Sequence, residues 1–290
     1  LSVRTRVILR NRGWEEPVHE LGARQRGTRA QPLTTWKSTA LRFPLLRATL
    51  RMSRVCLCGT LDDIRWLRGR YPAQAVKMRY VPNGVSVAHP AAYWPSQSSR
   101  PAAFLCVGGS PWRKNIARSL ELFAAVHARL PRARLTLVGT NVSSPDIPPI
   151  PPAIAHAVVN VPQVSLERME DWYRQCPYMI TSTRYEGGHA LTILEALSFG
   201  CVVFASAIPA AREIIRHRHN GILLKGGRVD DDADVIRDVV ADRSLVDALG
   251  RHGFRTAQRN RWERQGERLM RVLERDRDGK APGRGKTRAR

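Results

Sequence analysis

Nine consecutive residues, Thr181-Ser182-Thr183-Arg184-Tyr185-Glu186-Gly187-Gly188-His189, gather much of this chain's polar chemistry between two apolar runs. The run before them, Tyr178 to Thr181, has the length of a buried strand. The run after them, Leu191 to Phe199, has the spacing of a helix, so the polar residues form the loop at a strand's carboxyl end. Two glycines in that loop let backbone amides approach an anion closely, and a helix opening near Ala190 turns its positive end to the same place. Glu186 lies in the loop and Glu195 about one helical turn inside the helix, and a carboxylate accepts paired hydrogen bonds from vicinal hydroxyls such as those of a sugar.

A second loop of the same kind is Gly108-Gly109-Ser110-Pro111-Trp112-Arg113-Lys114-Asn115. It follows the apolar run Ala102 to Val107 and opens the helical pattern Asn115 to Leu130, in which Ile116, Leu120, Phe123, Ala124 and His127 share a stripe. Arg113 and Lys114 stand at the helix entrance, where the backbone dipole favours negative charge, so an anionic ligand explains them better than helix stability does. The bland alternative is a pair of solvated loop cations.

These loops need a scaffold. From Pro101 onward, strand-like runs alternate with helical ones: Ala102 to Val107, Arg134 to Val138, Ala157 to Val161, Tyr178 to Thr181 and Val202 to Ala205, with helices Asn115 to Leu130, Leu166 to Arg174, Leu191 to Phe199 and Ala210 to Arg216 between them. That alternation predicts an α/β fold with a doubly wound parallel sheet, whose ligands bind at the carboxyl ends of the strands. Beyond it the pattern reads as helix over Asp234 to Leu249 and Gly253 to Arg275, and then as a disordered Gly/Pro/Lys/Arg tail. Ahead of it stand a strand at Val3 to Leu9, a poorly patterned stretch from Asn11 to Thr35, a helix over Thr39 to Arg51, a strand at Val55 to Cys58, a helix over Asp62 to Tyr71 and a strand at Met78 to Val81. The turn Pro82-Asn83-Gly84 closes that segment.

The chain has 290 residues, and single cores stop growing near about 250–300, so two domains are expected. The boundaries read as 1–98, 99–275 and a tail at 276–290. The formal net charge of +23 would suit nucleic acid, anionic lipid or a phosphorylated substrate, but the basic residues are mostly arginine and spread along the whole chain, as a GC-rich genome would give. Cys56, Cys58, Cys106, Cys176 and Cys201 form no C-x-x-C pair and sit in apolar surroundings, which predicts buried thiols rather than zinc ligands or disulfides. No apolar stretch approaches the roughly 18 residues of a membrane span.

Taken in order, the segments Tyr185-Glu186-Gly187-Gly188, Leu194-Glu195-Ala196-Leu197, Gly200-Cys201-Val202-Val203, Ala205-Ser206, Arg212-Glu213-Ile214-Ile215 and Asn220-Gly221-Ile222-Leu223-Leu224 resemble the carboxyl-terminal signature of family 4 glycosyltransferases with the GT-B fold. Val107-Gly108 with Arg113-Lys114-Asn115, Leu135 to Gly139, and Val81-Pro82-Asn83-Gly84-Val85 agree with that family in the same order. The resemblance implies one complete Rossmann-like domain for the nucleotide-sugar donor, and an amino-terminal Rossmann-like, acceptor-side domain that is incomplete in a chain truncated at its start. It also implies transfer of a sugar, of the hexosyl type, from a nucleoside-diphosphate sugar to a glycan or lipid-linked acceptor with retention of configuration, as in polysaccharide assembly.

Carried over residue by residue, Lys114 and Arg113 neutralise the diphosphate leaving group and Glu186 contacts the sugar. Glu195 takes the ribose hydroxyls, while Gly108, Gly109, Gly187, Gly188, His189, Ala190 and Leu191 line the donor site. No cofactor and no metal are implied. The location would be cytoplasmic, with room for a peripheral contact between the basic surface and an anionic membrane.

Three departures accompany the resemblance. Eight residues rather than seven separate Glu186 from Glu195, through a harmless bulge or a shift of Glu186 away from the sugar. Gly109-Ser110 replaces an expected arginine, so either Arg113 substitutes or one phosphate contact is missing. Arg12 stands where relatives carry a histidine. His189 reads as a polar loop residue that bonds locally or meets the donor sugar, and Glu213 suits a helix contact as well as a ligand contact. Two rival readings are a non-catalytic remnant that binds a sugar nucleotide without turnover, and a basic nucleic-acid-binding protein whose affinity would fall steeply with salt. The second lacks an aromatic platform or recognition motif, so no specific nucleic acid is expected.

Overall fold

The computed structural model describes residues 8–10, 46–87, 102–108, 111–140, 149–161, 164–186 and 188–277. Gly109, Gly187, the stretch after Arg10 and the basic tail lie outside the described residues. The chain divides into two compact units, Leu1–Asn83 together with Glu263–Arg290, and Gly84–Trp262.

In the first unit, β1 (Ile8–Arg10), β2 (Val55–Cys58) and β3 (Met78–Tyr80) form a parallel sheet in that order, with Leu9 opposite Cys56 and Leu57 opposite Arg79. Helices α1 (46–52) and α2 (Leu61–Arg70) connect them. Thr60 starts α2 by accepting the amide of Asp63 at 2.9 Å. Asp62 and Asp63 in its first turn and Arg68 and Arg70 in its last match the helix dipole. Because side chains alternate across a strand, Cys56 and Cys58 pack with Leu50, Ile64, Leu67 and Met78 on one face, while Val55 and Leu57 pack with Val81 on the other. Leu269 and Val272 of the chain's last helix cover that second face.

The second unit holds six parallel strands, β4 (Ala103–Val107), β5 (Arg134–Val138), β6 (Val158–Val161), β7 (Tyr178–Thr181), β8 (Val202–Ser206) and β9 (Ile222–Leu224), in the order β6-β5-β4-β7-β8-β9. The chain winds outward from β4 to β6, then returns to β7 on the other side of β4, with Phe104 opposite Tyr178 and Leu105 opposite Met179. Adjacent strands whose connections leave in opposite directions open a crevice at their carboxyl ends. Between the strands lie α3 (Pro111–Lys114), α4 (Ile116–Arg129), α5 (Leu166–Gln175), α6 (Leu191–Ser198) and α7 (Pro209–Ile214). After them come α8 (Val229–Ala241) and α9 (Arg243–Arg259), followed by α10 (Trp262–Arg277), which belongs to the first unit from Glu263 onward.

Both sheet faces are covered, which is why the strands read as continuous apolar runs. Phe104, Cys106, Tyr178 and Phe204 face α4 and α8, while Leu105, Met179 and Val203 face the side chains of α6 and α7. All five cysteines are free and buried, as expected.

Several boundaries differ from the sequence expectation. Pro111–Lys114 is a helical turn rather than loop, and Ile222–Leu224 is a sixth strand too short for its pattern to stand out. The final helices break at Asp242, whose side chain caps α9 by accepting the amide of Leu245 at 3.0 Å, and again at Asn260. Gly250 and Gly253, read as the break, sit inside α9. A Cβ on Gly253 would stand 2.8 Å from Leu197 Cδ2, so the missing side chain lets α9 pack closely on α6. The unit boundary lies at Gly84 rather than near residue 98. The last helix belongs almost wholly to the first unit, not to the second as its position in the sequence suggested.

Phe104 anchors the second unit, stacking on Tyr178 at 5.1 Å and meeting Phe123 at 6.1 Å and Phe204 at 6.4 Å. Phe104→Ala is expected to destabilise this unit by about 3–5 kcal/mol. Urea unfolding followed by far-ultraviolet circular dichroism measures it, and a loss below about 1 kcal/mol would mean that the cluster does not hold the sheet together.

Candidate functional site

The crevice between β4 and β7 receives one loop from each strand. Gly108 follows β4, its amide bonded to Val138 O at 3.0 Å and its carbonyl accepting Thr140 Oγ1 at 2.7 Å. A Cβ at this position would lie 2.5 Å from Ile116 Cδ1, so the start of α4 is packed directly on the strand end. The single turn α3 then carries Arg113 and Lys114, and Asn115 takes the left-handed conformation at φ 50°, which asparagine tolerates better than most residues. That kink separates α3 from α4.

At the end of β7, Thr181 shares a hydrogen bond with Thr183 at 2.8 Å, and both are buried. The next residue joins the two loops. The Arg184 amide donates to Arg113 O at 2.9 Å, and its guanidinium Nη2 donates to Asn115 Oδ1 at 2.9 Å. Glu186 makes the third connection, with Oε2 accepting from Arg113 Nη1 at 2.6 Å and Oε1 accepting from Lys114 Nζ. The Lys114 and Glu186 side chains are 9% and 12% exposed, and that of Arg113 is 35% exposed. Two cations and one carboxylate therefore meet at the switch point, and removing one member of such a buried pair leaves an uncompensated charge costing about 3–5 kcal/mol.

The structure shows Glu186 turned toward the cations. Gly188, His189 and Ala190 are buried, whereas Leu191, the first residue of α6, is 40% exposed. His189 Nε2 stands 3.7 Å from Glu213 Oε2 on α7, so the ambiguous Glu213 faces the cradle's histidine.

Glu195, one turn into α6, accepts the Tyr173 hydroxyl at 2.8 Å. Burial raises the pKa of Glu195, opposed by that hydrogen bond and by the charge of Lys114. Tyr173 is held well above the ordinary phenol range, first by burial and then by the neighbouring Glu195 carboxylate. Its ring stacks on Phe199 with centroids 5.6 Å apart, which fixes the hydroxyl's position.

Sequence reading named Arg113, Lys114, Glu186 and Glu195 by residue type and loop position, and the structure brings the first three into contact, with Glu195 in the field of Lys114. It did not find Asn115 and Arg184 as the pair joining the loops, or Tyr173 as the partner of Glu195. Arg184 and Asn115 lie 69 residues apart on two different loops, so no spacing connects them. Tyr173 lies on a different helix, and no spacing connects it to Glu195. Among the described residues no three His, Cys, Asp or Glu side chains are grouped to hold a metal ion, and no helix is long and apolar enough to cross a membrane.

Residues 101–242 match the family described as Glycosyl transferases group 1. Among curated relatives, the D-inositol 3-phosphate glycosyltransferase of Geodermatophilus obscurus is 32% identical over 117 residues, which are 40% of this chain and 25% of that protein. The protein of the same name from Streptomyces coelicolor is 29% identical over 110 residues, 38% of this chain and 24% of its own length. These matches thus span about a quarter of the relatives' length.

Among solved structures, Anabaena HepE in complex with UDP and glucose superposes with a TM-score of 0.70 at 15% identity, over 93% of this chain and 72% of that one. Sucrose-phosphate synthase from Thermosynechococcus elongatus gives 0.67 at 20% identity, over 90% and 67%. Staphylococcus aureus TarM, as a mutant in complex with fondaparinux, alpha-GlcNAc-glycerol and UDP, gives 0.67 at 14% identity, over 79% and 46%. The chain thus has the GT-B fold, and its residues 101–242, which carry two cations and a carboxylate at the switch point of a 3-2-1-4-5-6 parallel sheet, are similar to the group 1 glycosyltransferases.

Proposed function

We propose that this chain is a retaining glycosyltransferase of family 4 that moves a hexosyl group from a nucleoside-diphosphate sugar to a glycan or lipid-linked acceptor. The observation that carries the reading is the convergence of Lys114 and Arg113 at the carboxyl ends of β4 and β7, beside Glu186 and within the field of Glu195. Support comes from the relatives named as glycosyltransferases and from similar folds solved with UDP and sugars.

In this reading the diphosphate lies against Lys114 and Arg113, the ribose hydroxyls donate to Glu195, and the transferred sugar meets Glu186, His189 and the backbone near Gly188. Breaking the anomeric bond places growing negative charge on the diphosphate. Cations already held at that point stabilise the transition state more than the ground state, because they need no reorganisation as the charge develops. Charge neutralisation comes from the chain's own side chains, without a metal. The Tyr173 hydroxyl holds Glu195 in a fixed rotamer and competes with ribose for one of its oxygens. The first unit would bind the acceptor, and the reaction would run in the cytoplasm, with a peripheral contact to an anionic membrane for a lipid-linked acceptor.

A nucleoside diphosphate or its sugar, present at about 100 times its dissociation constant, should add about 2.7 kcal/mol of stability. Thermal unfolding with a panel of nucleotides is expected to show a shift with one base, absent in Lys114→Ala and Glu195→Ala. A flat response to every nucleotide removes the donor-site reading. Turnover with the selected donor, followed by nuclear magnetic resonance of the new anomeric centre, then tests retention.

The raised pKa of Glu195 gives a second test. The folded protein holds this proton more tightly than the unfolded chain, so the difference favours folding below the unfolded carboxyl pKa of about 4.3 and is lost as pH rises through the folded value. Glu195→Gln has no proton to lose. Urea unfolding of variant and wild type should therefore move in the variant's favour between about pH 4 and pH 7. A gap that stays constant, or moves the other way, would show that burial does not control this carboxyl.

A further inference from the structure

Glu186 uses both of its carboxylate oxygens on the two cations assigned to the donor's diphosphate, one oxygen on each. We infer that Glu186 is the cradle's own anion, seated where the diphosphate binds, and that an intact sugar nucleotide exchanges it out more effectively than a bare nucleoside diphosphate. The inference rests on the donor-binding reading above and adds a specificity role to a residue otherwise assigned only to sugar contact.

Three observations carry it. The Glu186 and Lys114 side chains are about nine-tenths enclosed, so this is a desolvated pair and not a loose surface contact. A carboxylate on Arg113 and Lys114 and a phosphate on the same two groups are competing ligands of one charge type. The two loops are also joined independently of Glu186, through the Arg184 amide on Arg113 O and the Arg184 guanidinium on Asn115 Oδ1. The carboxylate can therefore leave the cations by side-chain rotation while both loops keep their places.

Discrimination follows from what the displaced carboxylate meets. With an intact donor, the sugar hydroxyls supply new hydrogen-bond donors to Glu186, so its loss of the cations is offset. With a bare nucleoside diphosphate no hydroxyls arrive, and a more highly charged anion stands beside a carboxylate with no new partner. Like charges at such spacing oppose each other. After transfer the same logic runs in reverse. The sugar departs, Glu186 loses its hydroxyl partners, and it competes for Lys114 and Arg113 against the nucleotide product. The residue thus ties cation availability to the presence of a transferable sugar.

The test is titration calorimetry of wild type, Glu186→Gln and Glu186→Ala with UDP, GDP, ADP, their glucose conjugates and inorganic pyrophosphate, with ligand-free thermal unfolding recorded to verify folding. Removing the competing charge should tighten nucleoside diphosphate and pyrophosphate about tenfold, the scale of one charge-assisted hydrogen bond. The preference for sugar nucleotide over diphosphate should fall by at least that factor. Glu186→Ala controls for any new contact made by the glutamine amide, and both variants must move in the same direction. If wild type binds nucleotides and both variants bind diphosphate and pyrophosphate equally or more weakly, the competing-anion role is wrong and the donor site stands. If neither wild type nor variants bind any nucleotide or pyrophosphate, the donor-binding reading fails and takes this inference with it.

Discussion

The pairing of β4 with β7 is the constraint on which the site depends. Only two residue pairs, Phe104 with Tyr178 and Leu105 with Met179, define that contact, yet it sets side by side two strands whose following chain leaves in opposite directions. Parallel strands cannot be joined by tight turns, so each loop must run into a helix that crosses back over the sheet. The consequence is local. Two loops that are about 70 residues apart in the chain, as the 73-residue separation of Arg113 and Glu186 shows, share one crevice and can exchange hydrogen bonds.

Charge then governs what the crevice does. Arg113 and Lys114 oppose the dipole of the helix they precede, so their position needs an anion nearby. Glu186 supplies one from the facing loop, and Glu195 supplies a more distant carboxylate whose ionisation is resisted by burial and favoured by Lys114. The two carboxylates differ in what holds them. Glu195 is held by a Tyr173 hydroxyl whose ring is stacked, whereas Glu186, among the described residues, is held by the two cations it neutralises. One carboxylate is therefore a fixed feature of the site and the other an exchangeable one.

Much of this was legible in the sequence, for identifiable reasons. Strands buried on both faces leave uninterrupted runs such as Phe104-Leu105-Cys106-Val107, and glycines with charged residues at strand ends mark the crevice. What depends on packing between distant elements left no local trace. The Asn115–Arg184 joint, the Tyr173–Glu195 bond and the proximity of His189 to Glu213 are all of that kind. Gly250 and Gly253 misled for a related reason. In sequence they look like a helix stop, but at Gly253 the space beside Leu197 asks for a residue without a side chain, and tertiary contact outweighed that glycine's penalty of about 1 kcal/mol.

The return of the last helix to the first unit also orders events in time. Val55, Leu57 and Val81 are made early, but Leu269 and Val272, which cover them, emerge from the ribosome only after the whole of Gly84–Trp262 has been synthesised. At about 5–20 residues per second, that face of the first sheet waits for tens of seconds at the slow end of the range. The first unit is thus completed only after the entire sequence of the second has become available.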